Sequence, residues 1–511
     1  MVAITFGDLR TQYQTIKEFF ISGIVVTQIN MLEPKPVWSQ FDQILQIPRP
    51  SKHEEAISNH LQAFAEKHHL ECVKDEVGNV IIRKPATKGM EDCKGVILQA
   101  HMDMVPQKNS DTEHDFLKDS IKAYQNGEWV LAEGTTLGAD DGIGIAAALA
   151  VLASSDIQHG PLEVLCTVDE ETGMTGAEGL KAGVLQGSVL LNLDSEEDGE
   201  LCIGCAGGID IVIKGQYTPE AVSDDKKLCK ISLTGLKGGH SGQDINRGRG
   251  NANKLMVRLL KTLSDLDSRV VSFHGGSLRN AIAREAFVTI AVDTDKSDLI
   301  AARIDECQSL YCTELGDIEP DLSLIMTAVE REGVVSVMPQ SAQENWLNVL
   351  DASPVGVQRM STTVEGVVET SNNMAMICIE EGSIQVDNMS RSLIDSAIDD
   401  LAERIAGVYR VLGAEVSKLG RYPGWRPNAH SPILEQMKQT HVRLFGEEPV
   451  VKVIHAGLEC GLLGSLYPEW DMISFGPTIL GAHSPDEKVN IQTVEKFWTY
   501  LVDVLQNISR A

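Results

Sequence analysis

The run Gly95-Val-Ile-Leu-Gln-Ala100 limits what this chain can fold into more than any other segment. It is almost continuously apolar, with no alternation that would let one face meet water. A strand of that kind is covered on both sides, the environment of a parallel sheet between layers of helices. Leu162–Thr167 and Ser188–Leu193 read as further strands. Between the first two, Ile143–Ser154 predicts a helix, part of the apolar stretch Gly142–Ala153. That stretch is too short to span a membrane and is flanked by acidic residues, so the helix is expected to be buried. Upstream, Phe41, Ile44 and Leu45, then Ile57, Leu61 and Phe64, recur at helical spacing, and Pro48 and Pro50 divide them into two helices. Val80-Ile81-Ile82 reads as a strand. The β–α–β alternation predicts an α/β fold with a mixed, largely parallel sheet flanked by helices.

The texture changes around Cys205-Ala-Gly-Gly208. Lys230–Thr234 predicts a strand, Asn253–Leu266 a helix, Ala286–Val292 a strand and Leu299–Leu315 a helix. A second pass has the same look, with a helix over Val335–Val349, strands over Met374–Ile379 and Ser383–Met389, and a helix over Leu393–Leu412. This reads as an inserted α+β domain of two similar halves, although no residue-level repeat is visible. The α/β texture then returns, with a helix over Ser431–Leu444, strands over Val450–His455 and Met472–Phe475, and a closing helix over Val494–Ile508. The expected organisation is one domain over 31–207 and 418–511, interrupted by an insertion over 208–417, with 1–30 as an extension outside the core.

Charge narrows the partners. The 511 residues carry 44 Lys+Arg against 73 Asp+Glu, a net charge of −29. That balance repels phosphate backbones, and no Lys/Arg run offsets it, so neither nucleic acid nor an anionic membrane surface is an expected partner. The apolar segment Phe19–Val26 is preceded only by Arg10 and Lys17, and no A-x-A follows, so it is not expected to be a secretory signal. Ten scattered cysteines read as the reduced thiols of a cytoplasmic protein. Cys202-Ile-Gly-Cys205 has the spacing of a zinc knuckle but lacks a second pair, and is read as buried thiols beside a glycine-rich turn.

Five clusters carry the chemistry, all at predicted strand ends or loops. They are His101-Met-Asp103, Asp140-Asp141, Asp169-Glu170-Glu171, Asp194-Ser-Glu196 and His483-Ser-Pro-Asp486-Glu487. Each has an ordinary account when taken alone: a surface pair, a helix cap, a solvated acidic loop. Alternation along a strand puts His101 and Asp103 on one side, where the carboxylate can accept the second N–H of a metal-binding imidazole. One of Asp140 and Asp141 can cap the following helix while the other binds a cation. Imidazole and carboxylate without a nearby thiolate suit Zn²⁺ or Mn²⁺, and a two-metal site needs a bridging carboxylate.

In this order the clusters resemble the dinuclear-zinc exopeptidase family of carboxypeptidases, aminoacylases and dipeptidases. The specific stretches are Leu98-Gln-Ala-His-Met-Asp-Met-Val-Pro-Gln-Lys108, Gly134-Thr-Thr-Leu-Gly-Ala-Asp140, Gly235-Leu-Lys-Gly-Gly-His-Ser-Gly242, His455-Ala-Gly-Leu-Glu-Cys-Gly461 and Gly481-Ala-His-Ser-Pro-Asp-Glu487. The resemblance runs from about Met31 to the C-terminus, and the first thirty residues have no counterpart in it. It implies that the split α/β domain is catalytic and the insertion is a lid. It implies two Zn²⁺ per subunit, with Mn²⁺ or Co²⁺ as substitutes. Asp140 would bridge them, His101 and Asp194 would complete one set of ligands, and Glu171 and His483 the other. Glu170 would be the general base and Asp103 the partner that orients His101. In the lid, His240 would stabilise the oxyanion and Arg391 would hold the substrate carboxylate, with Asn280 a further lid-side contact.

The activity so implied is hydrolysis of dipeptides, above all Xaa-His dipeptides such as β-alanyl-histidine. Two alternatives stay open on the sequence: a zinc aminoacylase or deacetylase acting on N-acyl amino acids, and a metal-dependent binding protein without turnover. A homodimer is expected, with His240 acting in cis or across it. His455 and Glu459 are expected near the site, with no assigned role.

Overall fold

Val96–His101 is buried at every position, as its continuous apolar run requires. It pairs in parallel with Leu162–Thr167 on one side and Val189–Asn192 on the other. Asp471–Ser474 continues the parallel set beside Val189–Asn192. Antiparallel strands lie outside this core: Val80–Lys84 against Leu162–Thr167, Glu71–Lys74 beyond it, and Glu200–Cys205 against Asp471–Ser474. The eight-stranded sheet is thus mixed and largely parallel at its centre, as expected. The computed structural model describes residues 28–223, 225–331 and 333–510. The segment Phe19–Val26, and with it most of the expected extension over 1–30, lies outside them. No helix among the described residues is long and apolar enough to cross a membrane.

The chain leaves Val96–His101, crosses through the helix Ala139–Ala153, and returns as Leu162–Thr167, a βαβ unit. Asp140 and Asp141 depart from helical dihedrals, so the regular helix starts after them, where the apolar stretch begins. Val189–Asn192 then pairs on the other side of Val96–His101. The winding reverses there, and ligands of open α/β sheets collect outside the carboxyl ends of strands at such a point. Short strands that the sequence did not reveal build a second sheet of four. Ala123–Asn126 pairs with Trp129–Ala132, which pairs with Lys488–Asn490, which pairs with Ile479–Leu480. The turn between the last two carries His483.

The chain forms two compact units. The first takes in the described part of Met1–Cys202 with His430–Val451 and Glu469–Ala511. The second takes in Ile203–Ala429 and Lys452–Pro468. The second unit's main sheet runs Ser323–Val329, Lys226–Thr234, Ala286–Asp293, Arg269–Gly275, Val368–Glu380, Ser383–Ser392, Gly207–Gln216, Glu415–Tyr422, with Gly356–Met360 also paired to Val368–Glu380.

Two halves of one topology make up that sheet. In the first, strand Lys226–Thr234, helix Ala252–Thr262, strands Arg269–Gly275 and Ala286–Asp293, helix Ser297–Leu315 and strand Ser323–Val329 follow in order. In the second, strand Gly207–Gln216, helix Gln340–Ala352, strands Val368–Glu380 and Ser383–Ser392, helix Asp395–Arg410 and strand Glu415–Tyr422 repeat the sequence of elements. Each half has its strands in the spatial order fourth, first, third, second, and the halves meet where their second strands pair. The first half is inserted between the first strand and the first helix of the second. A tandem repeat is therefore not there to be seen in the sequence. Strand residues such as Ile231, Phe273, Ile377 and Val386 pack on helix residues such as Met256, Ile304, Trp346 and Leu401 to form the core of this unit.

One expected helix is shorter than read. Val335–Val349 contains a two-residue strand, Ser336–Val337, and the helix begins only at Gln340. Pro339 is the reason, since the residue before a proline is driven out of the helical region.

At the junction of the halves, Gly276 has φ 73, and a β-carbon there would run into the Ala375 carbonyl. Gly276→Ala is expected to cost more than about 1 kcal/mol, because positive φ and a backbone clash add together. Chemical denaturation of the full chain checks this, and an unchanged midpoint would contradict it.

Candidate active site

Three strand ends, the head of the helix Ala139–Ala153, which carries Asp140, and one turn deliver the predicted side chains in the first unit. His101 ends Val96–His101, Glu170 and Glu171 open a short helical turn beyond Leu162–Thr167, and Asp194 follows Val189–Asn192. His483 stands in the turn before Lys488–Asn490 with φ 64. Asp140 Oδ1 is 3.0 Å from His101 Nε2, and Asp140 Oδ2 is 3.4 Å from His483 Nε2. Asp194 Oδ1 is 3.3 Å from His101 Nε2, and Glu171 Oε2 is 2.9 Å from His483 Nε2. Two donor groups result, His101/Asp140/Asp194 and Asp140/Glu171/His483, each with its donor atoms within 4.8 Å of one another. Asp140 belongs to both and turns a different oxygen to each. Glu170 falls in a further group with His101 and Glu171.

Burial works against charge throughout this cluster. It drives Asp194 up to about 7 and Glu196 up to about 8, and the neighbouring Asp140 adds to both. Burial also opposes charge on Asp140, yet the two histidines hold its pKa below the carboxylate range. Hydrogen bonds to Asp140 and Glu171 raise His483 to about 11. His101 also stands well above an ordinary histidine: burial lowers it, but Asp194, Asp103 and Asp140 outweigh that. Glu171 Oε1 is buried and finds no hydrogen-bond partner among the described residues. Such an acceptor, beside two imidazoles and a shared carboxylate, fits divalent cations that take nitrogen and oxygen ligands.

Asp103 does more than orient His101, whose Nδ1 lies 3.3 Å from Asp103 Oδ1. Its Oδ1 accepts the backbone N–H of Glu170 at 3.0 Å and its Oδ2 that of Glu171 at 3.2 Å. One carboxylate thus sets both a ring and the backbone of the acidic pair. Burial opposes its ionisation, but these contacts hold its pKa near 2, down to about 2 from the ordinary value. Asp141 takes the capping role, accepting the Gly144 N–H at 3.1 Å.

Two positioning groups were not recognised from the sequence. Arg49 is 2 % exposed. Its guanidinium donates to the carbonyls of Met102 at 3.0 Å, Asp103 at 2.6 Å, and Gly138. Glu487 accepts the backbone N–H groups of Leu137 at 2.7 Å, Gly138 at 2.9 Å, Ala139 at 2.8 Å and Asp140 at 3.3 Å. The turn that carries Asp140 is therefore held through its N–H groups by an anion and through a carbonyl by a cation. The available signals were an arginine between Pro48 and Pro50 in a helix break, and a glutamate closing the fifth cluster.

In the second unit, His240 Nδ1 accepts the backbone N–H groups of Gly242 at 3.1 Å and Gln243 at 3.0 Å. Nδ1 is thereby the bare nitrogen, and Nε2 carries the proton as a donor. Burial and the nearby Arg391 push His240 down to about 4, so the ring is neutral at working pH. Arg391 is buried, and its Nη1 donates to the Tyr422 hydroxyl at 2.7 Å and its Nε to Ser241 Oγ at 3.4 Å. These acceptors are neutral. Asn280 is exposed and joins this region through its carbonyl, which accepts the Ser241 N–H at 2.8 Å. His455 Nε2 lies 2.8 Å from Ser371 Oγ. Burial, Arg391 and His240 together push His455 down to about 3.

Nitrogen and carboxylate donors gathered at the carboxyl edge of a parallel α/β sheet define a metal-dependent hydrolase. Residues 97–507 match the model of peptidase family M20/M25/M40, and the chain belongs to that family. It is 47 % identical over 484 residues to the cytosol non-specific dipeptidase of Escherichia coli, covering 94 % of this chain and 99 % of that protein. Its fold matches the crystal structure of aminoacylhistidine dipeptidase from Vibrio alginolyticus with a TM-score of 0.89 at 50 % identity, over 95 % of this chain and 99 % of that one. Aminopeptidase PepT from Bacillus cereus shares the fold, with a TM-score of 0.55 at 16 % identity, over 94 % and 99 % of the two chains. The chain is a hydrolase of peptide bonds.

Two predictions follow from these contacts. Glu487→Gln sets an amide NH₂ against backbone donors and is expected to weaken metal affinity by about 10–100-fold, in the range for groups that support a ligand. Competition with a chelator measures this, and unchanged affinity would show that the Asp140 turn does not depend on Glu487. His455, held down to about 3, binds a proton in the unfolded chain before it does so when folded. Stability is therefore fully present above the ordinary histidine pKa of about 6.5 and declines as pH falls below it. Between pH 7 and pH 5, roughly the span over which an ordinary histidine protonates, His455→Gln is expected to lose less stability than the parent. Equal losses in denaturant titrations would remove His455 as a source.

Proposed function

We propose that the chain is a cytoplasmic, homodimeric dipeptidase that cleaves Xaa-His dipeptides such as β-alanyl-histidine, using two divalent cations and Glu170 as general base. The observation that carries this reading is Asp140, shared between two donor groups with one oxygen toward each. His101 and Asp194 would complete the ligands of one cation and Glu171 and His483 those of the other, with Zn²⁺ the first choice and Mn²⁺ or Co²⁺ substitutes. Such a pair supplies Lewis acidity toward water and toward the scissile carbonyl.

The chain's own residues do the rest. Glu170 takes a proton from the attacking water and returns it to the leaving amine. Asp103 keeps the backbone of Glu170 and Glu171 in place while it orients His101. His240 donates its Nε2–H to the oxyanion of the tetrahedral intermediate, in cis or across the dimer. A neutral imidazole suits that task, since its remaining N–H donates a hydrogen bond and is too weak an acid to be given up readily. Arg391, whose hydrogen-bond acceptors within the protein are neutral, grips the substrate's C-terminal carboxylate and restricts the enzyme to short substrates. Asn280 adds a contact to the substrate. The relatives' names support the substrate class, one being a non-specific dipeptidase and another an aminoacylhistidine dipeptidase.

Metal-stripped protein is expected to release histidine from β-alanyl-histidine only after Zn²⁺ is restored. Preference for an N-acetylated dipeptide over the free one would instead mark an acylase. Glu170→Ala is expected to fold, keep its metal and lose about 10²–10⁴-fold in kcat, the usual range for a lost general base. A near-normal kcat would move the base elsewhere.

A further inference from the structure

The second unit's main sheet buries one face under its helices, with Phe273, Ile377 and Ile379 in that core. Alternation therefore sends His274, Cys378 and Glu380 to the opposite face. His274 stands directly across from Cys378 in the antiparallel ladder, and Glu380 lies two residues further along the same strand. His274 Nδ1 is 3.7 Å from Cys378 Sγ, and His274 Nε2 is 3.4 Å from Glu380 Oε2. One donor atom from each falls within 4.8 Å of the other two. Among the described residues this is the one such group with a sulfur donor. It has no part in the peptidase reaction derived above.

We propose that His274, Cys378 and Glu380 bind a further divalent cation of the borderline-soft class, Zn²⁺ foremost. Thiolate, imidazole and carboxylate together are a zinc donor set, and they leave a fourth tetrahedral position to water or an external ligand. On binding, the Cys378 thiol releases its proton to solvent and His274 coordinates as the neutral imidazole. The location gives the ion a structural task. His274 belongs to the first half of the sheet, and Cys378 and Glu380 to the second. The halves meet in only three register pairs, Phe273–Gly275 against Ile377–Ile379, whereas Val368–Glu380 and Ser383–Ser392 share ten. A bound cation staples the shorter seam from its open side.

The sulfur donor makes the site separable from the nitrogen and oxygen centre of the first unit. Full-length protein is stripped of metal and titrated with Co²⁺, and the near-ultraviolet thiolate-to-cobalt absorption is followed. The expected result is a band whose final intensity corresponds to one thiolate-bound Co²⁺ per chain, beside the Co²⁺ taken up by the nitrogen and oxygen donors of the first unit. The band disappears in Cys378→Ser and falls sharply in His274→Ala, with peptidase activity unchanged in both. Zn²⁺ in excess of two equivalents raises the melting temperature of the parent and not of Cys378→Ser. No thiolate band, or a band that survives in Cys378→Ser, would overturn the proposal. The readout does not involve turnover, so it stands or falls independently of the peptidase reading.

Discussion

The Asp140 carboxylate must face two histidines at once, and much of the first unit serves to hold it there. Its two oxygens point apart, toward His101 and His483, which arrive from elements nearly four hundred residues distant in sequence, positions 101 and 483. A side chain under that demand cannot be allowed to rotate. The backbone beneath it is fixed by Glu487 through four N–H groups and by Arg49 through the Gly138 carbonyl. Both of those groups are buried and charged, which is costly unless their hydrogen bonds and opposite charges compensate. Here every contact named is to backbone, so the charges are spent on holding a turn.

The same economy recurs elsewhere. Asp103 fixes a ring and two backbone amides with one carboxylate. In the second unit, two backbone N–H groups choose the tautomer of His240, and Tyr422 and Ser241 hold Arg391 without neutralising it. The proposed chemistry depends on these arrangements, since a donor must present its proton and a carboxylate grip must keep its charge.

Much of this was legible in the sequence, for identifiable reasons. Leu162–Thr167 was read with the bounds it has, because an apolar run in a parallel sheet is a strong signal. His101, Asp140, Glu171, Asp194 and His483 were expected together, and the structure brings them together. The strands Ala123–Asn126 and Trp129–Ala132 were missed because four residues of mixed polarity carry no period. The repeat in the second unit was suspected from texture alone, and one half interrupting the other explains why the residues show no tandem pattern. Arg49 and Glu487 were opaque because their partners are main-chain groups, which a sequence does not display. The pairing of His274 with Cys378 depends on strand register across 104 positions, beyond the reach of local pattern.

The central claim is that Asp140 joins two cation sites into one centre. Electron paramagnetic resonance of the metal-stripped protein reloaded with two equivalents of Mn²⁺ tests it most directly. The account predicts the spectrum of an exchange-coupled pair, replaced by isolated ions in Asp140→Ala. Uncoupled Mn²⁺ ions in the parent protein would contradict it.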